Sequence, residues 1–95
     1  MKKTQWEEAA DCLRILSHPN RLQIINLLLG AEYSVGEIAE ACGILQNVAS
    51  EHLSLMKNKG FVKPQKRGKK VYYCLHEPAL ASIIDCVKKR FSTQS

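Results

Sequence analysis

Seven cations crowd one stretch of this 95-residue sequence. Lys57, Lys59, Lys63, Lys66, Arg67, Lys69 and Lys70 fall between positions 57 and 70 with no acid among them. Just before them lies a polar set, Gln46, Asn47, Ser50, Glu51 and His52, on what reads as one helix. The chemistry open to these residues is recognition. Cations held side by side repel one another unless a polyanion neutralises them, and a fully segregated basic patch is the footprint of a nucleic-acid binder. Gln and Asn can pair bidentately with adenine, Ser can reach bases or phosphates, and Glu can accept from the cytosine amino group. The competing reading is a solvated basic loop beside an ordinary polar helix face.

The charge distribution separates these readings better than the net charge of +5 does. The balance is −3 over residues 1–56, +7 over 57–70 and +1 over 71–95. Beyond this patch, chemistry-bearing motifs are few. No nucleophile–base pair, phosphate loop or paired-acid spacing appears, so the chain does not read as an enzyme and implies no cofactor. The cysteines at 12, 42, 74 and 86 form no C-x-x-C pair, which argues against a zinc ribbon. No apolar run approaches the ~20 residues of a membrane span; Leu22 to Leu29 is broken by Gln23 and Asn26. Glu7, Glu8 and Asp11 soon follow Met1-Lys2-Lys3, so no secretory signal is visible and the cytoplasm is expected.

The elements that must position these residues are readable from caps and periodicity. Thr4-Gln5-Trp6-Glu7 has capping-box spacing, and Trp6, Ala9, Ala10, Leu13 and Leu16 recur at helical intervals. Pro19 ends that first helix near Ser17-His18 and opens a second, with Leu22, Ile25, Leu28 and Leu29 inward and Gly30 as its stop. Ser34-Val35-Gly36-Glu37 is a second capping box, starting a short helix that Gly43 caps after Cys42. A tight connection leads to a longer helix from Gln46 to about Lys59, with Val48, Ala49, Leu53 and Met56 as its apolar stripe. The period then changes. Phe61-Val62 and Val71-Tyr72-Tyr73 favour strands, and Gly68 suits the turn of a hairpin between them. Pro64 must sit where the ladder needs no donor. Pro78 is expected to open the last helix, carrying Leu80, Ile83, Ile84, Val87 and Phe91, with residues 92–95 a frayed tail.

The whole chain, 1–95, thus reads as one mainly α domain of four helices, a β-hairpin and a fifth helix. The third and fourth helices form a helix-turn-helix, whose second helix would present Gln46, Asn47, Ser50, Glu51 and His52 to the major groove. Lys57 and the hairpin cations Lys66, Arg67, Lys69 and Lys70 would meet phosphates, with the hairpin tip along or within the adjacent minor groove. A domain this small buries only about two-thirds of its unfolded surface. Apolar faces on the first and last helices could therefore pack in a two-fold dimer, setting two recognition helices about 34 Å apart on an inverted repeat. The other outcome is that these faces complete a monomeric core.

At this point "LRILSHPNRLQIINLLL", "SVGEIAEACGILQNVASEHLSLMKNKGFV" and "KRGKKVYYCL" together resemble the ArsR (SmtB-type) family of bacterial winged-helix transcriptional repressors. The resemblance covers about residues 9–91. It implies a winged helix-turn-helix, a homodimer through the first and last helices, and a complex with double-stranded operator DNA released by an effector. Where family metal sensors carry ligands, this chain has Ser34-Val35-Gly36-Glu37 and Asp85-Cys86-Val87, so neither of those metal sites is expected. The cysteine positions of a persulfide- and oxidant-sensing branch align with Asn26 and Ser92. Cys12 and Cys86, on the first and last helices, remain as a candidate thiol sensor for oxidant, arsenite or a soft metal. The alternative is that both are small buried hydrophobes. A winged-helix protein-interaction module without operator binding would fit the fold but leave the basic patch unexplained.

Overall fold

Backbone caps divide the chain where the sequence places them. The protein is described by a computed structural model covering residues 4–92. Helix α1 spans Gln5–Leu16, and its capping box closes from both sides: the Glu7 N–H donates to Thr4 Oγ1 (3.1 Å) and the Thr4 N–H to Glu7 Oε1 (3.0 Å). Helix α2, Pro19–Leu28, follows with proline in its first turn, where no amide hydrogen is required. Its N-cap is His18, whose Nδ1 accepts from the Asn20 N–H at 3.1 Å. A two-residue strand, β1 (Tyr33–Ser34), runs directly into α3 (Val35–Cys42). Ser34 and Glu37 form the second reciprocal box there. Helix α4 is Gln46–Asn58, strands β2 and β3 are Val62–Arg67 and Lys70–Leu75, and α5 is Leu80–Phe91.

The three strands form one antiparallel sheet in the order β1-β3-β2. Val62 faces Leu75 and Arg67 faces Lys70, leaving Gly68 and Lys69 as the turn. Gly68 has φ +64, which suits glycine in a tight hairpin. Pro64 sits on β2, an edge strand, where a proline is tolerated. The sequence reading expects a two-stranded hairpin. The third strand adds Tyr33 opposite Tyr73 and Ser34 opposite Tyr72 and sews the hairpin to the body. Two residues are too few to display an alternating pattern, which is why β1 has no signature of its own.

Pro78 does not begin α5. It lies in a turn in which the Leu80 N–H bonds the Glu77 carbonyl and the Ala81 N–H bonds the Pro78 carbonyl, and the helix starts at Leu80. Of the expected tail over 92–95, Ser92 caps α5 by donating its N–H to the Lys88 carbonyl, and 93–95 lie outside the described residues. No helix among the described residues is long and apolar enough to cross a membrane.

The core is one cluster beneath the helix-turn-helix. Ile24, Ile25 and Leu28 of α2 meet Ile38 and Ala39 of α3, Ala49, Leu53 and Met56 of α4, and Leu80 and Ile84 of α5, with Phe61 and Val62 closing the sheet side. Helix α1 contributes little to it. Only Leu16 is buried, with Cys12 and Ile15 packed partly against the cluster. Trp6 is 83% exposed, Leu13 53% and Phe91 of α5 71%. The apolar stripe read along α1 is therefore split: Leu16 is buried, whereas Trp6 and Leu13 have no cover among the described residues.

Leu53 is wholly buried between α4 and the rest of the core. Leu53→Ala should lower unfolding stability by about 2–5 kcal/mol in denaturant titrations. An unchanged midpoint would mean that α4 is not seated on this core.

Candidate nucleic-acid interface

The corner between α3 and α4 is set by Gly43. Its φ of +68 lies in the left-handed region, and the Gly43 and Ile44 amides donate to the carbonyls of Glu40 (3.2 Å) and Ala39 (3.0 Å). This terminates α3 with its last carbonyls satisfied and turns the chain at once into α4. The N-cap of α4 is Leu45, which is 70% exposed and supplies no side-chain cap. The first amides of the helix thus remain available to solvent or to an anion.

Gln46, Asn47, Ser50 and Glu51 are all exposed on the first turns of α4, on one side of the helix. His52 is not with them. It is 7% exposed and belongs to the buried stripe Ala49, His52, Leu53, Met56, whose spacing is that of an inward helix face. Its Nδ1 accepts from Arg21 Nε at 3.0 Å, while Arg21 Nη1 donates to the Ile15 carbonyl at 3.1 Å. The His18 and His52 rings pack with centroids 4.5 Å apart. This cluster ties the end of α1, the start of α2 and the middle of α4 together. Burial, then the nearby His18 and Arg21, push the His52 pKa below its ordinary 6.5, against a smaller opposing effect of Glu51. The expectation that His52 reads bases is therefore corrected: it is a neutral acceptor inside the scaffold.

The hairpin cations remain at the surface. Lys57 lies in the last turn of α4, where it also complements the helix dipole, and Lys63, Lys66, Lys69 and Lys70 are exposed along β2, the turn and β3. Between hairpin and helix lies a cleft of about 460 Å³ whose walls include Ser34, Gly36, Gln46, Ser50, Lys69 and Lys70. The geometry thus brings Gln46 and Ser50 to the same opening as two of the wing lysines. Ser34 and Gly36, legible in the sequence only as part of a capping box, also line this cleft. Arg67 is engaged elsewhere. Its Nε and Nη2 donate to the two carboxylate oxygens of Glu32, each at 2.9 Å. The Arg67 guanidinium holds the Glu32 carboxyl below its usual range.

The thiols are dispersed. Cys12 is half-buried on α1, Cys86 is exposed on α5 near Lys89, Arg90 and Phe91, and no disulfide joins them. Burial pushes the Cys42 thiol up. Among the described residues no group of three or more His, Cys, Asp or Glu is placed to hold a metal ion.

A short helix, a glycine corner, a longer helix with an exposed polar face, and a basic hairpin beside it define a winged helix-turn-helix DNA-binding protein. A family model described as "Bacterial regulatory protein, arsR family" matches residues 18–63. The biofilm growth-associated repressor of Xylella fastidiosa (strain Temecula1) is 34% identical over 87 residues, covering 92% of this chain and 76% of that protein. The crystal structure of the transcriptional repressor BigR from Xylella fastidiosa superposes with a TM-score of 0.87 at 31% identity, covering 98% of this chain and 95% of that one. The homodimeric winged helix-turn-helix DNA-binding domain of Mb0332 from Mycobacterium bovis gives 0.81 at 30% identity, covering 93% and 82%. The chain belongs to the arsR family of bacterial regulatory proteins. It is a DNA-binding transcription regulator and not an enzyme.

A buried neutral His52 makes folding pH-dependent with a defined sign. The unfolded chain takes up its proton near 6.5 and the folded chain only at lower pH, so this contribution is complete above that value and is lost as pH falls below it. The denaturation midpoint should drop more between pH 7.5 and 5.5 in the native protein than in His52→Gln, whose amide oxygen can still accept from Arg21. Equal drops would remove His52 as the cause.

Proposed function

We propose that this chain is a homodimeric repressor that grips an inverted-repeat operator through α4 and the hairpin and leaves it when a small effector binds. The observation that carries the reading is the shared cleft, in which Gln46 and Ser50 of α4 open onto Lys69 and Lys70 of the wing. In this reading Gln46, Asn47, Ser50 and Glu51 face the base edges of the major groove. The exposed Leu45 gives the same surface an apolar contact of the kind a thymine methyl accepts. Lys57, Lys66, Lys69 and Lys70 neutralise phosphates, and the tip of the wing follows the neighbouring minor groove. A winged-helix interaction module without DNA would have no use for this convergence of cations and amides.

The uncovered apolar residues of α1 and α5, Trp6, Leu13 and Phe91, are the surface assigned to the second copy. A two-fold axis between these helices sets the two α4 helices about one DNA turn apart, about 34 Å. Cys12 and Cys86 lie on the same two helices. They are the thiols through which an oxidant, persulfide or arsenite would act, and the cytoplasm is the compartment in which they stay reduced.

Three measurements test this reading. Binding to duplex DNA should weaken steeply with salt, and Lys69→Gln with Lys70→Gln should reduce the slope of log affinity against log salt by about two. Asn47→Ala should instead reduce affinity for a selected operator by about 1–3 kcal/mol while leaving mixed-sequence binding nearly intact. Binding without salt dependence would overturn the interface. Trp6→Glu with Leu13→Glu should convert the dimer to a monomer in sedimentation, and a native chain that sediments as a monomer at high concentration would overturn the operator symmetry.

A further inference from the structure

Arg67 occupies the wing tip, where a cation would be expected to reach for phosphate, yet the fold spends it on a carboxylate of its own chain. Glu32 lies immediately before β1, on the far side of the sheet from β2. Arg67 faces Lys70 on β3, so to reach Glu32 its side chain runs back across that strand. Both carboxylate oxygens are engaged, each at 2.9 Å. The pair is therefore a strap laid over all three strands, from the outer edge of the wing to the loop that follows α2.

We propose that Glu32 is a positioning residue for DNA binding: through Arg67 it holds the wing at the angle that keeps Lys69 and Lys70 on the cleft they share with Gln46 and Ser50. An exposed ion pair is ordinarily worth little. This one differs in geometry rather than burial. The fork-to-carboxylate match fixes orientation as well as distance, and it joins segments 35 residues apart in sequence. The pairing of β1 with β3 reaches only to Tyr72, opposite Ser34. Beyond that point the tip has one neighbouring strand and this strap. Two lysines at the end of a hairpin whose angle was free would meet phosphate only after being ordered, and that ordering opposes binding. With the strap in place the ordering is built into the free protein. Arg67 then acts on DNA through its neighbours, not by touching it.

The inference rests on the DNA-binding reading, and the variants separate the two. Side-chain exposures of 59% for Arg67 and 33% for Glu32 mean that neither Glu32→Gln nor Arg67→Lys disturbs the core, and unfolding midpoints check this. Glu32→Gln removes a negative charge near DNA, so simple electrostatics calls for tighter binding. We expect the opposite: affinity for a mixed-sequence duplex falls by about three- to tenfold, in the lower part of the range of coupled contacts. The salt slope should fall with it. Arg67→Lys keeps the charge but loses the fork, and it should match Glu32→Gln. Lys70→Gln should weaken the native protein but have little further effect in the Glu32→Gln background. Tighter or unchanged binding by Glu32→Gln, native affinity in Arg67→Lys, or additive effects of the Glu32 and Lys70 changes would each overturn the proposal. Amide hydrogen exchange at Gly68 and Lys69 reads the strap without DNA. Faster exchange in Glu32→Gln than in the native chain supports it and equal exchange overturns it, whereas failure of the native protein to bind any duplex at low salt would instead sink the reading on which it rests.

Discussion

Like charges gathered on one side of a small domain repel, and that repulsion shapes the second half of this molecule. Seven cations in residues 57–70 have no acid of their own segment to offset them. The fold answers in two ways. It projects Lys63, Lys66, Lys69 and Lys70 into water along a hairpin, where solvent and salt screen them. It also pairs the one arginine of the group with Glu32, an acid drawn from the other half of the chain. What remains unneutralised lies beside the exposed start of α4. A phosphate backbone can supply the missing counter-charge without first displacing any protein carboxylate from those lysines. The same crowding that weakens the free domain thus becomes the driving force for its complex.

That charge is useful only on a rigid support, and the support is built from local rules visible in the sequence. Two capping boxes, a proline in the first turn of α2 and a left-handed glycine after α3 each fix a helix end with bonds spanning five residues or fewer. Such signals depend on neighbours in the chain, so they survive being read without a structure. The recognition corner, the hairpin register around Gly68 and the exposed set Gln46, Asn47, Ser50 and Glu51 were legible for this reason.

What was not legible depends on distant partners. His52 looked like a groove-facing polar residue because a neutral histidine and an exposed one share the same letter. Its inward role follows from Arg21, 31 residues away, and from His18. The spacing of Ala49, His52, Leu53 and Met56 did hold the clue, since it completes an inward stripe. Arg67 is likewise engaged by a partner distant in sequence, Glu32, 35 residues away. Strand β1 has no signature of its own because its pairing is specified by β3 rather than by its two residues. Trp6 and Leu13 show the converse: their helical spacing is plain in the sequence, but no element among the described residues covers them.

The Arg21 cluster bears on how a ligand at one surface could be felt at the other. It bonds the last turn of α1 through the Ile15 carbonyl and the interior of α4 through His52. Helix α1 carries the surface proposed for the second copy, and α4 carries the surface for DNA. The two are therefore joined by hydrogen bonds through one guanidinium as well as by the core. An effector at α1 or α5 changes DNA affinity only to the extent that it binds the DNA-competent and released arrangements unequally. The wing is held from two sides: β1 and Glu32 attach it to the start of α3 and the loop after α2, and the Phe61 N–H donates to the Met56 carbonyl where α4 turns into β2. Arg21 is thus the polar link by which a change at α1 would bear on α4, and the wing would follow through the direct run of α4 into β2.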